Sequence, residues 1–290
     1  MEIPVPVVAL SKDTPRRNPA PPGTLRIMTC NILLDLPEQT KLESWEKHRR
    51  EACFHVIRHH QPDIFCLQEV GQRQFEEFEQ EFPEFQSYGF RDAASDRHPP
   101  RFKAIRNVIY FSTQKFELTA ASGYWFSATP LVAASHLPGE KLGRQINWVR
   151  LREKASGREF RVLDTHLGLD QPGRIKQTAM IVDETTQYDA SFPQILCGDL
   201  NSEIQSPELQ ALVRAGWVDT YGKLHPEARP TPERPNPPRK IDFIMARGTV
   251  EVVDSQLINN TWKSVRPSDH PFVSADLRVA GGDVGRLDQP

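Results

Sequence analysis

The sequence predicts an α/β sandwich, two β-sheets packed face to face with helices outside. Two patterns predict it. Short, largely apolar runs at 25–30, 64–67 and 194–197 alternate with stretches of helical period, as buried strands joined through helices do. Between residues 107 and 166 the period shortens to two, in runs cut by turns such as Ser156-Gly157, which reads as antiparallel strands. A chain holding both kinds of strand can bury them by stacking sheet on sheet beneath helices.

Taken in order, residues 1–23 hold six of the 25 prolines and are expected to form a flexible leader. The strand 25–30 ends at Asn31. Residues 44–60 carry Trp45, Ala52, Val56 and Ile57 at helical spacing, with Ser44 as N-cap and Pro62 just past the end. The strand 64–67 ends at Gln68-Glu69, and a short helix follows with Phe75, Phe78 and Phe82 on one side. Strands are expected at 107–111, 116–120, 124–127, 146–151 and 160–166. A helix over 174–188 leads to strand 194–197, which ends at Gly198-Asp199, and a short helix starts after Pro207. Six more prolines between 226 and 238 read as a loop ahead of strands at 241–245, 250–253 and 272–277. The tail 280–290, with Gly281, Gly282 and Gly285, is expected to fray. One domain over 24–279 is the expectation, and no internal repeat is visible.

Composition narrows the function. The chain of 290 residues has 38 acids against 36 bases, a net charge of −2, so it lacks the basic excess of a dedicated duplex-binding protein. No apolar run approaches the roughly 18 residues of a membrane span. The stretch 3–10 is short, proline-interrupted and without a basic lead, a poor signal peptide. Cys30, Cys53, Cys66 and Cys197 show no Cys-x-x-Cys spacing, and three lie in apolar runs, as expected of reduced thiols in a cytoplasmic protein. There is no phosphate-binding GxxxxGK loop and no GxGxxG.

The informative pattern is where polar residues fall. Asn31, Gln68-Glu69, His166, Asp199 with Asn201, Asp242 and Asp269-His270 stand at the ends of predicted strands. Such groups converge on one edge of the sheets, where α/β folds place ligands. Four carboxylates, two imidazoles and three carboxamides without a thiol suit a hard cation, Mg²⁺ or Mn²⁺, rather than zinc. Attack of water on a phosphoester needs this set. Glu69 and Asp269 are suited to hold the metal, with Asn31 completing its shell. Asp199 would orient or deprotonate the water, and Asn201 would donate to a phosphoryl oxygen. His270 and His166 are candidates to stabilise developing charge, Asp242 holding His270 in the needed tautomer.

Each string alone is weak: Asp199-Leu200-Asn201 is an ordinary turn, and Thr165-His166 more often structural. Their joint occurrence at strand ends carries the reading. His48, His55 and His59 share a helical stripe, but no HExxH accompanies them, and a solvated face is expected. Arg97, Arg101, Lys103 and Arg106 with Phe102 form a basic loop that would be either solvated or a phosphate grip.

These motifs carry a resemblance. Thr29-Cys30-Asn31, Pro62-Asp63-Ile64-Phe65-Cys66-Leu67-Gln68-Glu69-Val70, Asp164-Thr165-His166-Leu167, Cys197-Gly198-Asp199-Leu200-Asn201, Ile241-Asp242-Phe243-Ile244 and Ser268-Asp269-His270-Pro271 occur in that order. The set resembles the endonuclease/exonuclease/phosphatase superfamily, metal-dependent phosphoesterases related to pancreatic deoxyribonuclease. Ser44-Trp45-Glu46, the segment 123–130 and Asn147-Trp148-Val149-Arg150-Leu151 resemble its stand-alone bacterial hydrolases. The resemblance implies a four-layer αββα sandwich as the catalytic domain, the roles given above, and Asn107 and Arg144 near the phosphate. Two departures bear on substrate. Residues 226–239 are proline-rich where relatives carry a Thr-Phe-His-like segment, and Gly168-Leu169-Asp170 stands where relatives often place Asp and His.

The expected function is Mg²⁺- or Mn²⁺-dependent cleavage of a phosphoester in a phosphorylated small molecule, a lipid headgroup or a phosphodiester. A nuclease is the alternative and a non-catalytic binding module the weaker one; no obligate protein partner is inferred.

Overall fold

In a computed structural model the described residues are 3–4, 7–35, 44–90, 105–227, 230–231 and 240–280. Chain order is β1 (Ile3–Pro4), β2 (Val8–Leu10), β3 (Leu25–Asn31), α1 (Arg50–His60), β4 (Ile64–Val70), α2 (Gln72–Glu81), β5 (Phe85–Tyr88) and β6 (Arg106–Ser112). There follow β7 (Phe116–Trp125), β8 (Gln145–Glu153), β9 (Glu159–His166), α3 (Gln171–Thr185), β10 (Gln194–Asp199), α4 (Pro207–Arg214), β11 (Val218–Asp219) and α5 (Thr220–Leu224). The chain closes with β12 (Pro230–Thr231), β13 (Asp242–Arg247), β14 (Val250–Ile258), β15 (Asn260–Trp262) and β16 (Phe272–Val279).

Two six-stranded sheets form, ordered β14-β16-β3-β4-β6-β5 and β11-β13-β10-β9-β8-β7. Each holds one parallel pair, β3 with β4 and β9 with β10, beside antiparallel neighbours. Alternation along the strands explains the layering. Ile27, Ile64, Cys66, Ile109 and Phe111 of the first sheet meet Val149, Val162, Ile195, Cys197 and Ile244 of the second in one buried cluster. Their strand neighbours Met28, Cys30, Phe65, Leu67 and Tyr110 face the other way, under Cys53 and Val56 of α1 and Phe78 of α2. On the far side Leu163, Leu196, Phe243 and Met245 pack against Ile181 of α3 and Leu209 and Leu212 of α4. The order is helix, sheet, sheet, helix, the αββα sandwich the sequence led us to expect. All four cysteines are buried and free.

Local signals hold at the helices. A wide helical turn over Trp45–Arg49 precedes α1, with Ser44 Oγ accepting from Lys47 N at 3.3 Å, and Gln61 in the left-handed region (φ 51°) ends the helix before Pro62. The helix expected over 174–188 starts earlier, because Asp170 caps it by accepting from Gly173 N at 2.9 Å.

Three expectations are corrected. The runs 116–120 and 124–127 are one strand, β7, carried past a bulge between Leu118 and Ala120. β5 was not expected; it pairs with the edge of β6. The leader is in part joined to the domain rather than outside it. β2 pairs in parallel with β15, Leu10 is buried beside Trp262, and Arg17 Nη2 lies 2.6 Å from Asp254 Oδ2. Arg97, Arg101, Phe102 and Lys103, most of the second proline cluster and the tail from Gly281 lie outside the described residues. Arg106 belongs to no phosphate grip: it is buried with its guanidinium 4.4 Å from the Phe75 ring centroid and donates to Gln72.

Candidate active site

Sheet register builds the site. In the second sheet Asp199, the last residue of β10, stands opposite His166 of β9 on one side and Asp242 of β13 on the other. Three predicted residues thus lie side by side across adjacent strands. Gly198 makes this possible: at φ 146°, a Cβ there would fall 1.9 Å from Thr165 O. In the first sheet Asn31 ends β3 opposite Gln68 of β4. An irregularity between Leu67 and Val70 then turns Glu69 into the left-handed region (φ 61°), which re-aims its carboxylate. His270 comes from the loop before β16. The two sheets therefore contribute from opposite faces of one edge.

Asp199 Oδ2 is the centre. It accepts from Asn31 Nδ2 at 3.0 Å and lies 3.5 Å from His166 Nε2 and 3.7 Å from His270 Nε2. Asp199 Oδ1 accepts from Asn201 N at 2.9 Å, a turn that holds Asn201 at φ 49°. Burial pushes the Asp199 carboxyl above its ordinary value and the Asp242 charge pushes it further, against His270, the Asn201 N–H and Asn31. Asn31 Nδ2 also donates to Glu69 Oε1 at 3.1 Å, and Glu69 Oε2 accepts from Leu34 N at 3.2 Å. His166 Nδ1 stands 4.0 Å from Glu69 Oε1.

His270 Nδ1 is 2.7 Å from Asp242 Oδ2. Burial alone would lower the imidazole, but the Asp242 charge and hydrogen bond outweigh it, with help from Asp199 and Asp269, and carry it up to about 9. His270 is therefore a cation at neutral pH, aimed at Asp199.

Glu69, His166 and Asp199 bring ligand atoms within 4.8 Å of one another, and so do Asp199, Asp242 and His270. Among the described residues these are the groups able to surround an ion, and they share Asp199. The carboxylate oxygens of Glu69 and Asp199 suit a hard divalent cation, whereas His270, protonated and held by Asp242, offers it no lone pair. The stripe of His48, His55 and His59 forms no such group; His55 stacks on Trp262 with centroids 3.6 Å apart.

Other predicted residues sit at the margin. Asp269 is half-exposed, with Oδ1 3.9 Å from His270 Nε2, and falls in neither group. Asn201 Nδ2 donates to Leu167 O at 3.0 Å. Asn107 is buried, donating to Gln145 O at 3.4 Å across the two sheets. Arg144 lies within electrostatic reach of the centre: burial pulls its guanidinium below the ordinary value, and the charges of Glu69, Asp199 and Glu140 oppose that.

Across residues 28–270 the sequence matches the endonuclease/exonuclease/phosphatase family. This chain belongs to that family. Over 136 residues it is 25% identical to the uncharacterized protein YbhP of Escherichia coli K12, covering 47% of this chain and 53% of that protein. It is also 25% identical to the CCR4-Not complex 3'-5'-exoribonuclease subunit Ccr4 of Emericella nidulans, over 70% of this chain and 39% of that one. The chain thus spans about half the length of YbhP, and less of Ccr4. Its fold is shared with the Bacteroides thetaiotaomicron mannosyl-6-phosphatase, at TM-score 0.74 and 22% identity over 87% of this chain and 99% of that one.

Two buried residues that bond to the loop after Asn31 were missed from sequence. Arg49 falls four residues after Trp45 on the apolar stripe of the helix, and a cation on a buried face was a legible signal. Gln74, also fully buried, accepts from Gly71 N and Asp35 N and donates to Leu33 O at 3.1 Å; a glutamine in a polar helix gave no such signal.

Proposed function

We propose that this chain hydrolyses a phosphoester with the help of Mg²⁺ or Mn²⁺. The observation that carries the reading is Asp199 Oδ2, the one atom that Asn31, His166 and His270 all approach. A bound divalent cation would neutralise phosphoryl oxygen charge and polarise the phosphorus. Glu69, with Asn31, would hold it, and Asp269, at the margin beside His270 and outside both groups, would complete the shell from the solvent side. Asp199, destabilised as an anion by burial, gains by taking a proton and so suits orientation and deprotonation of the attacking water. His270, kept charged by Asp242, would stabilise the charge developing on the phosphoryl group, with His166 beside it. Arg144 and Asn107 would lie toward the substrate phosphate, and Asn201 would donate to a phosphoryl oxygen once its amide turns from Leu167 O. A binding module would have no use for the charged Asp242–His270 pair.

The substrate class proposed is a phosphorylated small molecule, a lipid headgroup or a phosphodiester, in a cytoplasmic protein. Cleavage of RNA is the second reading, favoured by the similarity to the Ccr4 exoribonuclease subunit. The test is a panel of bis-p-nitrophenyl phosphate, phosphomonoesters, inositol phosphates, single-stranded RNA and plasmid DNA, with Mg²⁺, Mn²⁺ or EDTA. EDTA-sensitive turnover of a small ester is expected. Turnover of RNA alone selects the second reading, and no turnover of any substrate with either metal overturns both.

A further inference from the structure

Arg49 is a fully buried cation that the phosphoester chemistry above does not use. A guanidinium out of water is tolerated only where its donors are occupied. Its Nη1 donates to Ile32 O at 2.8 Å and Leu33 O at 3.3 Å, and reaches Pro267 O at 3.4 Å. Ile32 and Leu33 directly follow Asn31. Pro267 stands two residues before Asp269 and three before His270. The same 32–35 loop presents Leu34 N to Glu69 Oε2. One side chain therefore ties the loop that orders Asn31 and Glu69 to the loop that delivers Asp269 and His270.

Charge points the same way. Burial lowers the Arg49 guanidinium, and Asp35, Asp269 and Glu69 are among the groups that oppose it. Two of these carboxylates are the ones assigned to the cation, so a fixed positive charge sits behind them. Gln74 grips Leu33 O as well, joining the 32–35 loop to Gly71 at the start of α2 rather than to the loop of Asp269 and His270.

We propose that Arg49 is a positioning residue for the divalent cation, setting the distance between the Asn31–Glu69 and Asp269–His270 sides of the site through backbone carbonyls. The inference rests on the reading of this site as a divalent-cation centre. Its opposite is also physical: a buried cation near a metal repels it, and removing the charge would then tighten binding. Lysine decides between them: it keeps the charge, but its nitrogen ends one bond short of Nη1, the atom that meets both loops.

The experiment is Mn²⁺ binding by electron paramagnetic resonance on the whole chain without substrate, for wild type, Arg49→Lys, Arg49→Gln and Leu10→Ala. Leu10→Ala controls for general destabilisation, because Leu10 packs beside Trp262 where β2 pairs with β15, and its apolar side chain carries no ligand or hydrogen bond for the site. Both Arg49 variants are expected to bind Mn²⁺ about 10- to 100-fold more weakly, the usual effect of losing a partner that orients ligands. Leu10→Ala should bind as wild type. Unchanged affinity in Arg49→Lys, tighter binding in Arg49→Gln, or equal loss in Leu10→Ala overturns the inference. If the Arg49 variants do not fold, Gln74→Met loosens one loop alone and should weaken binding several-fold; wild-type affinity there overturns it too. Failure of wild type itself to bind Mn²⁺ sinks the cation centre instead.

Discussion

Asp199 and His270 are held in opposite electrostatic predicaments, and both can be measured. The Asp199 carboxyl is raised by burial and by Asp242, so the folded chain binds that proton more tightly than the unfolded one. Stability of the metal-free protein then falls as pH rises past the ordinary aspartate range. Asp199→Asn should lower hydrolysis at least about 100-fold while leaving the melting temperature in EDTA equal or higher. A melting point several degrees lower would contradict this. The His270 imidazole is raised to about 9 by Asp242, against its burial. Its contribution to stability is full below the ordinary histidine value near 6.5 and disappears as pH rises through about 9. Asp242→Asn removes the main support of that charge, so the alkaline limb of the pH–rate profile should move down by roughly 1–2 units. An unmoved limb would detach His270 from it. His166, Asp199 and Asp242 were legible because each stands at one end of a buried strand, the first two closing β9 and β10 and Asp242 opening the antiparallel β13, and strands in register bring those ends together. Asp269 was assigned by the same logic and stands 3.9 Å from His270 outside both groups, because its loop, not a strand, fixes it.

At the scale of elements, legibility followed locality. The helix caps at Ser44 and Asp170 are decided within three residues, and the sequence exposes Ser44 directly. β2 is different: Val8–Leu10 is flanked by Pro6 and a polar turn, and its partner β15 lies some 250 residues on, so nothing local announces it. The segment is nonetheless part of the fold. Leu10→Ala should cost about 2–5 kcal/mol, as burial of a leucine in a packed cluster dictates, and show it as a lower denaturant midpoint. A loss below about 0.5 kcal/mol would mean the pairing contributes nothing. β7 reads as two strands because Ala121-Ser122-Gly123 interrupts its apolar pattern like a turn, while the bulge at Leu118–Ala120 lies within the first run; the half-buried β5 was too mixed in period to stand out.

For the whole molecule, family membership and a net charge of −2 lead to two solution expectations. Mg²⁺ at about 100 times its Kd should add about 2.7 kcal/mol to stability, and Glu69→Gln should abolish most of that gain in a thermal melt. A weak dependence of kcat/KM on salt should accompany a small substrate, whereas nucleic acid would give a steep one through counterion release. The sandwich also has an order of arrival. β3 sits between β4 and β16, so a strand made near the start of the first sheet waits for one made some 240 residues later. A nascent chain still short of residue 272 has Asn31, Glu69, His166, Asp199 and Asp242 already synthesised, yet nothing to anchor His270. The hydrolysis proposed above would switch on only when this seam of the sheet is zipped shut.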